Sequence, residues 1–338
     1  MPTCMACHKK TGNHFICSGK KIWHIDCLMC HACHKRIDDK QFIILDNKTL
    51  HKKCLMCSGC NKNINKHYIT YQGNLWHADC FERKERPKCS VCLKGLSDRY
   101  LVDFWGNAFC DSHKNYKTCN SCSRIICKNL TDGGMQYPDG IAICNICNLY
   151  SVSTLEQAKP IYNEMKQSLA SIGLHLNNAS VPLLLCDRAS LHQHSRHDFH
   201  KERPILGLAQ WVTTSSGGVV VNRHFKQILI QKDLPEEHFR TIAIHELMHA
   251  WFFYHQYFDL PLYIEEGFCV LMEYIWLKHQ KNQASQYRLL IIEQSRDPIY
   301  GDGFQQVKKA LEVMPLMQLL AFVKDKKKLP NKFSAFFY

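Results

Sequence analysis

Ile244-His245-Glu246-Leu247-Met248-His249, followed at close range by Ile264-Glu265-Glu266-Gly267, supplies the groups that metal-assisted hydrolysis requires. Residues four apart lie on one face of an α-helix, so His245 and His249 present two imidazoles to one Zn²⁺ while Glu246 points toward its water. Such a metal lowers the water's pKa to about 7, and the carboxylate takes the proton. Three fixed positions in five also arise by chance, the alternative being two core histidines hydrogen-bonded to backbone. Context favours the metal. Asp233-Leu234-Pro235-Glu236 has the cap, proline and acidic order of a helix start. Ile242, Leu247, Trp251 and Phe252 surround the histidines with apolar residues, as in a helix buried in an enzyme core.

Leu262 to His279 carries helical apolar spacing, which places Glu265 or Glu266 near the start of a second helix. Glu266, directly before Gly267, is similar to the ligand position of gluzincin aminopeptidases, and Glu273 falls where those enzymes repeat an acidic residue. Glu266 is therefore favoured over Glu265 as third ligand. Two histidines and a carboxylate leave a fourth position for water, the mark of a catalytic zinc. Tyr300, within Asp297-Pro298-Ile299-Tyr300-Gly301-Asp302-Gly303, could donate to the oxyanion.

The elements that position these groups follow from pattern. Ser153-Thr154-Leu155-Glu156 reads as a capping box opening a helix toward Gly173, which Pro160 would kink. Val181 to Leu185, Gly218 to Val221 and Ile228 to Ile230 read as strands, one of whose edges could pair with an extended peptide. Strands followed by the two site helices suit an α+β zincin. His192, His194, His197 and His200 form a histidine-rich stretch read as a solvated loop, Lys324 to Lys328 as an exposed face, and Cys269 as a packed thiol.

Cysteine divides the 338 residues sharply, because 18 of 20 lie before residue 148. No signal segment or membrane-length apolar run is present, so a soluble cytoplasmic protein is expected, in which such cysteine density binds metal rather than forming disulfides. The ligands fall into five quartets: Cys4, Cys7, His24 and Cys27; Cys30, Cys33, His51 and Cys54; Cys57, Cys60, His77 and Cys80; Cys89, Cys92, Cys110 and His113; Cys119, Cys122, Cys144 and Cys147. Paired ligands separated by 16 to 21 residues are the spacing of a small knuckle closing tetrahedrally on zinc. With no position left for water these five zincs are structural, and they stabilise, by on the order of 10 kcal/mol each, segments too polar to fold alone. Trp23, Trp76 and Phe109, each beside a ligand, read as small-core residues, and Cys17 and Cys127 are left over.

The formal charge of +13 invites a nucleic-acid reading. Residues 1 to 150 hold 22 Lys and Arg against 12 Asp and Glu, but four three-thiolate zinc units at −1 and one four-thiolate unit at −2 lower that balance from +10 to about +4. No arginine-rich helix or stacking platform accompanies it, so nucleic acid and membrane are not expected partners.

Two residues separate Cys27 from Cys30 and Cys54 from Cys57, the junction that joins two knuckles into one LIM domain, and three knuckles in a row leave the register open. The partition expected is an extra knuckle at 1–29, a LIM domain at 30–86, a LIM-like zinc-binding pair at 87–150 and an α+β zincin domain at 151–338. Taken together, Cys80 to Cys89, Val181 to Leu185, His245 to Trp251, Glu265 to Cys269 and Asp297 to Phe304 resemble the gluzincin-like LIM-domain zinc metallopeptidases related to the plant organ-size regulator DA-one. That resemblance implies an intracellular protein-cleaving enzyme with LIM modules beside its peptidase domain, and a link to ubiquitin. The chain begins almost at its first zinc ligand, without room for the amino-terminal ubiquitin-interacting helices of plant members, so the ubiquitin link rests on resemblance alone. The reading is a zinc peptidase acting on intracellular proteins, the LIM array serving protein interaction or regulation; the alternative is a LIM scaffold whose zincin domain is inactive.

Overall fold

The computed structural model describes the chain except residues 1, 39–41, 46–47, 65–66, 98, 138–139, 178, 195–204 and 331–338. It divides into two compact units, Met1–Leu101 with Ala108–Ser112 and Val102–Asn107 with His113–Tyr338.

Each knuckle begins with a tight turn at its first cysteine pair. The residue after the second cysteine (His8, His34, Asn61, Leu93, Ser123) takes a left-handed conformation with φ of 53–63°. Its N–H returns to the carbonyl of the first cysteine at 2.8–2.9 Å. This closes a loop small enough to aim both thiols at one point. In the first three knuckles an antiparallel hairpin follows (Phe15–Ser18 with Lys21–His24, Phe42–Leu45 with Lys48–His51, Ile69–Tyr71 with Asn74–Trp76), delivering the third ligand at or just after its end. Cores are correspondingly small. Trp23, Leu28 and Ile37 close over Cys4 and Cys30, and Leu55, Ile64, Leu75 and Trp76 over Cys57 and Cys80. Phe109 is only half-buried. The junctions Leu28-Met29 and Leu55-Met56 are alike, with leucine buried and methionine exposed, so packing does not distinguish one LIM register from the other.

In the second unit a capping box opens helix α1 (Leu155–Ser171), formed by Thr154 and Gln157, one residue later than the expected Ser153 and Glu156. Pro160 lies inside that helix without ending it. Strands β1 (Leu183–Cys186), β2 (Gly207–Ser216) and β3 (Val219–Gln231) form a sheet in the order β1-β3-β2, β1 parallel and β2 antiparallel to β3. The strands expected at Gly218–Val221 and Ile228–Ile230 are the two ends of β3, whose polar middle pairs with β2.

Helices α2 (Glu236–Tyr254) and α3 (Leu262–Lys278) are buried over much of their surface, which is why their apolar residues ring the helix. Asp233 does not cap α2. It has φ 63°, Leu234–Pro235 pairs with Ser151–Val152, and Pro235 occupies the cap position without a side-chain bond. Helices α4 (Gln283–Gln294), α5 (Gly301–Ala310) and α6 (Leu316–Lys326) complete the unit. Close approach of α5 to α3 depends on two glycines. A Cβ on Gly267 would stand 2.6 Å from Gly303 O, and one on Gly303 would fall on Tyr263 O.

The unit boundaries do not follow the ligand pattern, since His113–Tyr338 holds the fifth quartet together with the helices. His192 and His194 belong to the short helix Arg188–His194, and His197 and His200 lie outside the described residues. No described helix is long and apolar enough to cross a membrane.

Candidate metal centres

All five expected quartets assemble, each with its four ligand atoms within 4.8 Å of one another. Zinc with Zn–S near 2.3 Å and Zn–N near 2.0 Å requires ligand atoms separated by about 3.5–3.8 Å in a tetrahedron. Cys7 and Cys27 Sγ stand 3.3 and 3.7 Å from His24 Nδ1, and Cys33 and Cys54 Sγ 3.4 and 3.7 Å from His51 Nδ1. Cys60 and Cys80 Sγ stand 3.3 and 4.0 Å from His77 Nδ1. Cys92 and Cys110 Sγ are 3.9 Å apart, and Cys122 and Cys144 Sγ 3.7 Å apart.

A second contact fixes each imidazole. Nε2 of His24, His51 and His77 donates to Lys10 O, Arg36 O and Asn63 O at 3.1–3.2 Å, leaving Nδ1 as the metal-facing nitrogen. The first thiol of each of these knuckles accepts from the histidine's own N–H at 3.3–3.5 Å. Burial works against the Cys4, Cys30 and Cys57 thiolates, but such backbone N–H groups hold their pKa at about 6. All 20 cysteines are free of disulfides. These quartets have the closed four-ligand sets of structural zinc sites. Cys17 is exposed and Cys127 half-buried, outside every quartet.

The sixth cluster lies between α2 and α3. His245 Nε2 stands 3.1 Å and His249 Nε2 3.6 Å from Glu266 Oε2. The opposite nitrogens are held elsewhere: His245 Nδ1 donates to Glu273 Oε1 and His249 Nδ1 to Glu265 Oε1, both at 2.8 Å. An ionised carboxylate only accepts, so each Nδ1 carries a proton, and Nε2 is the nitrogen that faces Glu266 and would turn its lone pair to a metal ion there. A zinc ion needs N and O atoms about 3.4 Å apart, so these three side chains fit one. Glu265, the alternative ligand, is thereby occupied with His249, since adjacent helical residues project about 100° apart.

The cluster's charges favour a cation. Burial opposes protonation of His245 and His249, yet Cys269 and Glu266, with Glu273 at His245 and Glu265 at His249, push both well above the usual histidine range. Glu266 is buried, but the two imidazoles hold its carboxyl below the usual range. Burial pushes the Glu246 carboxyl up, against the pull of the same imidazoles. Glu246 points at β2, where the Ala209 N–H faces it and a Cβ on Gly207 would stand 2.6 Å from its Oε1. Cys269 is buried one turn beyond Glu266, with its thiol against His249.

Asp297 Oδ1 accepts from the Ile299 and Tyr300 N–H groups at 2.9 and 2.8 Å, fixing the turn that opens α5. The Tyr300 ring lies 6.2 Å from that of His245, and burial together with Glu266 pushes its hydroxyl up. The Tyr300 hydroxyl therefore keeps its proton beside the cluster. The roles of Glu265 and Gly207 carried no signal in the motif, because one depends on helix rotation and the other on a strand over 30 residues away.

Comparison with known proteins agrees with this layout. The LIM domain profile matches residues 4–56, 30–72 and 57–118, starting at the first ligands of the first three quartets. The DA1-like profile, "Protein DA1", matches residues 189–289, which include α2 and α3. Protein DA1-related 1 of Arabidopsis thaliana is 24% identical over 91% of this chain and 62% of its own length. The LIM domain-containing protein HDR3 of Oryza sativa subsp. japonica is 25% identical over 82% and 56%, and Protein DA1 of Arabidopsis thaliana 24% over 97% and 68%. The chain thus spans about six-tenths of the length of these relatives. With LIM modules followed by a DA1-like region, its layout is similar to that of the DA1 and DA1-related proteins.

Proposed function

We propose that the protein is a zinc-dependent peptidase of zincin type that hydrolyses intracellular protein substrates, with His245, His249 and Glu266 as metal ligands and Glu246 as general base. The observation that carries this reading is the convergence of both Nε2 atoms on one Glu266 oxygen while separate carboxylates hold both Nδ1 atoms. Zinc held there supplies Lewis acidity toward a peptide carbonyl and lowers the pKa of its water. Glu246, kept basic by burial and oriented by Ala209, accepts the proton. The β2 edge runs beside it and would offer backbone groups to an extended chain, and the neutral Tyr300 hydroxyl is the candidate donor to the oxyanion. The LIM modules recruit or regulate protein partners, and a reducing cytoplasm suits their thiolates.

A LIM scaffold with an inactive second unit remains the competing reading, and one variant separates the two. Glu246→Gln keeps side-chain shape but removes the proton acceptor. Peptide hydrolysis should fall by about 10²–10⁴-fold with zinc content unchanged; full activity in that variant would remove Glu246 from the mechanism. No hydrolysis by the wild-type chain on a proteome-derived peptide library would favour the scaffold.

A further inference from the structure

β2 is the outer strand of its sheet, and among the described residues nothing pairs with its other edge. It runs along α2 in the same direction. Gly207 lies against Ile242 and Glu246, the Ala209 N–H faces Glu246, and the Trp211 ring meets that of Phe253 at 5.9 Å. Along the helix Phe253 follows Glu246 by about 10 Å, and along the strand Trp211 follows Gly207 by about 13 Å, so the two elements stay in step. Core rings hold the aromatic pair in place. Phe253 packs on Phe225, the cross-strand partner of Trp211, at 5.3 Å and on Phe258 at 5.9 Å. Trp211 itself is nevertheless 43% exposed, and Val212 beside it 52%.

We propose that Trp211, seated on Phe253, is a specificity-determining residue that receives an aromatic side chain of the substrate, about two to four residues before the bond to be cleaved. This rests on the peptidase reading above. An extended peptide added to the free edge of β2 advances one residue for about every 3.3 Å of strand. With its scissile bond beside Glu246, the peptide residue opposite Trp211 is about two residues away counted from Ala209 and about four counted from Gly207. Antiparallel pairing is the more stable ladder, and it sends the peptide from Trp211 toward Glu246. The residue at Trp211 therefore precedes the cleaved bond. An indole already fixed by neighbouring rings loses little freedom on contact, and its open side suits a second ring at about 4.5–7 Å between centroids. A second copy of the chain on this edge would cover the base, which is why a substrate is the occupant.

The test digests a proteome-derived peptide library with the full chain and aligns the cleavage sites by mass spectrometry. Wild type should favour Phe, Tyr or Trp over Ala by about tenfold at one position, two to four residues before the cut. Trp211→Ala should lose that preference and Trp211→Phe should keep most of it, melting temperatures showing that both variants are folded. Labelled peptides from the favoured sites, titrated into full-length Glu246→Gln by fluorescence anisotropy, should bind more weakly by a similar factor when Trp211→Ala is added, a readout independent of turnover. An unchanged cleavage profile in Trp211→Ala, or an aromatic preference confined to the far side of the cut, would overturn the subsite and leave the peptidase reading standing. A dimer that Trp211→Ala dissociates, with the profile unaltered, would assign the patch to a second copy instead. A wild-type chain that cleaves no peptide would overturn the peptidase reading and this subsite with it.

Discussion

Glu265 and Glu266 are neighbours in sequence with opposite duties in space. Glu266 faces both Nε2 atoms, whereas Glu265 receives His249 Nδ1. Glu266→Ala should abolish sixth-site zinc and hydrolysis together. Glu265→Ala should keep the site but weaken its zinc by about 10–100-fold, as expected for a partner that only orients a ligand. Equilibrium dialysis against a competing chelator checks both, and a reversed order would exchange their roles. The pairing of His245, Glu246 and His249 was legible because helical spacing is local. The assignments of Glu273 to His245 and of Glu265 to His249 were not, since they depend on how α3 is rotated against α2.

At the level of elements, β2 borders Glu246, the base proposed above. Its first residue must be glycine, since a Cβ on Gly207 would stand 2.6 Å from both Glu246 Oε1 and Ile242 Cγ2. Gly207→Ala should displace the carboxylate, lowering hydrolysis at least tenfold while the sixth zinc stays bound, with a stability loss of about 1–3 kcal/mol from overpacking. Unchanged activity with a normal melting temperature would mean that Glu246 does not need that space. The sequence reading missed β2 for an identifiable reason. Its pairing shifts at Gln210/Trp211 and again at Thr214/Ser215, so the alternation that marks a strand is interrupted twice. The polar centre of β3 hid its continuity in the same way. Asp233 misled because its side chain suits a helix cap whereas its backbone is left-handed.

Across the whole molecule the metal count is the strongest test: five closed quartets and one open cluster predict six zinc ions per chain, the sixth leaving first to a chelator. Sulfur should dominate zinc-edge absorption, since 16 of the 20 structural ligands are cysteines. A folded protein holding one zinc would defeat the assignment. The quartets were legible because their ligands recur at short, regular spacing. The grouping of the fifth quartet with the helices was not, because Ser121 and Ser123 meet Arg288 and Tyr287 more than 160 residues away. Leu28 and Leu55 add a consequence for how the array fills. Each lies at a junction where side chains of two successive knuckles share one apolar cluster, so a knuckle emptied of zinc exposes part of its neighbour's core. Zinc uptake by the first three quartets is therefore expected to be mutually reinforcing, as in a one-dimensional chain with favourable nearest-neighbour terms. Half-loaded arrays should be scarce during titration, and the uptake curve should be steeper than for independent sites.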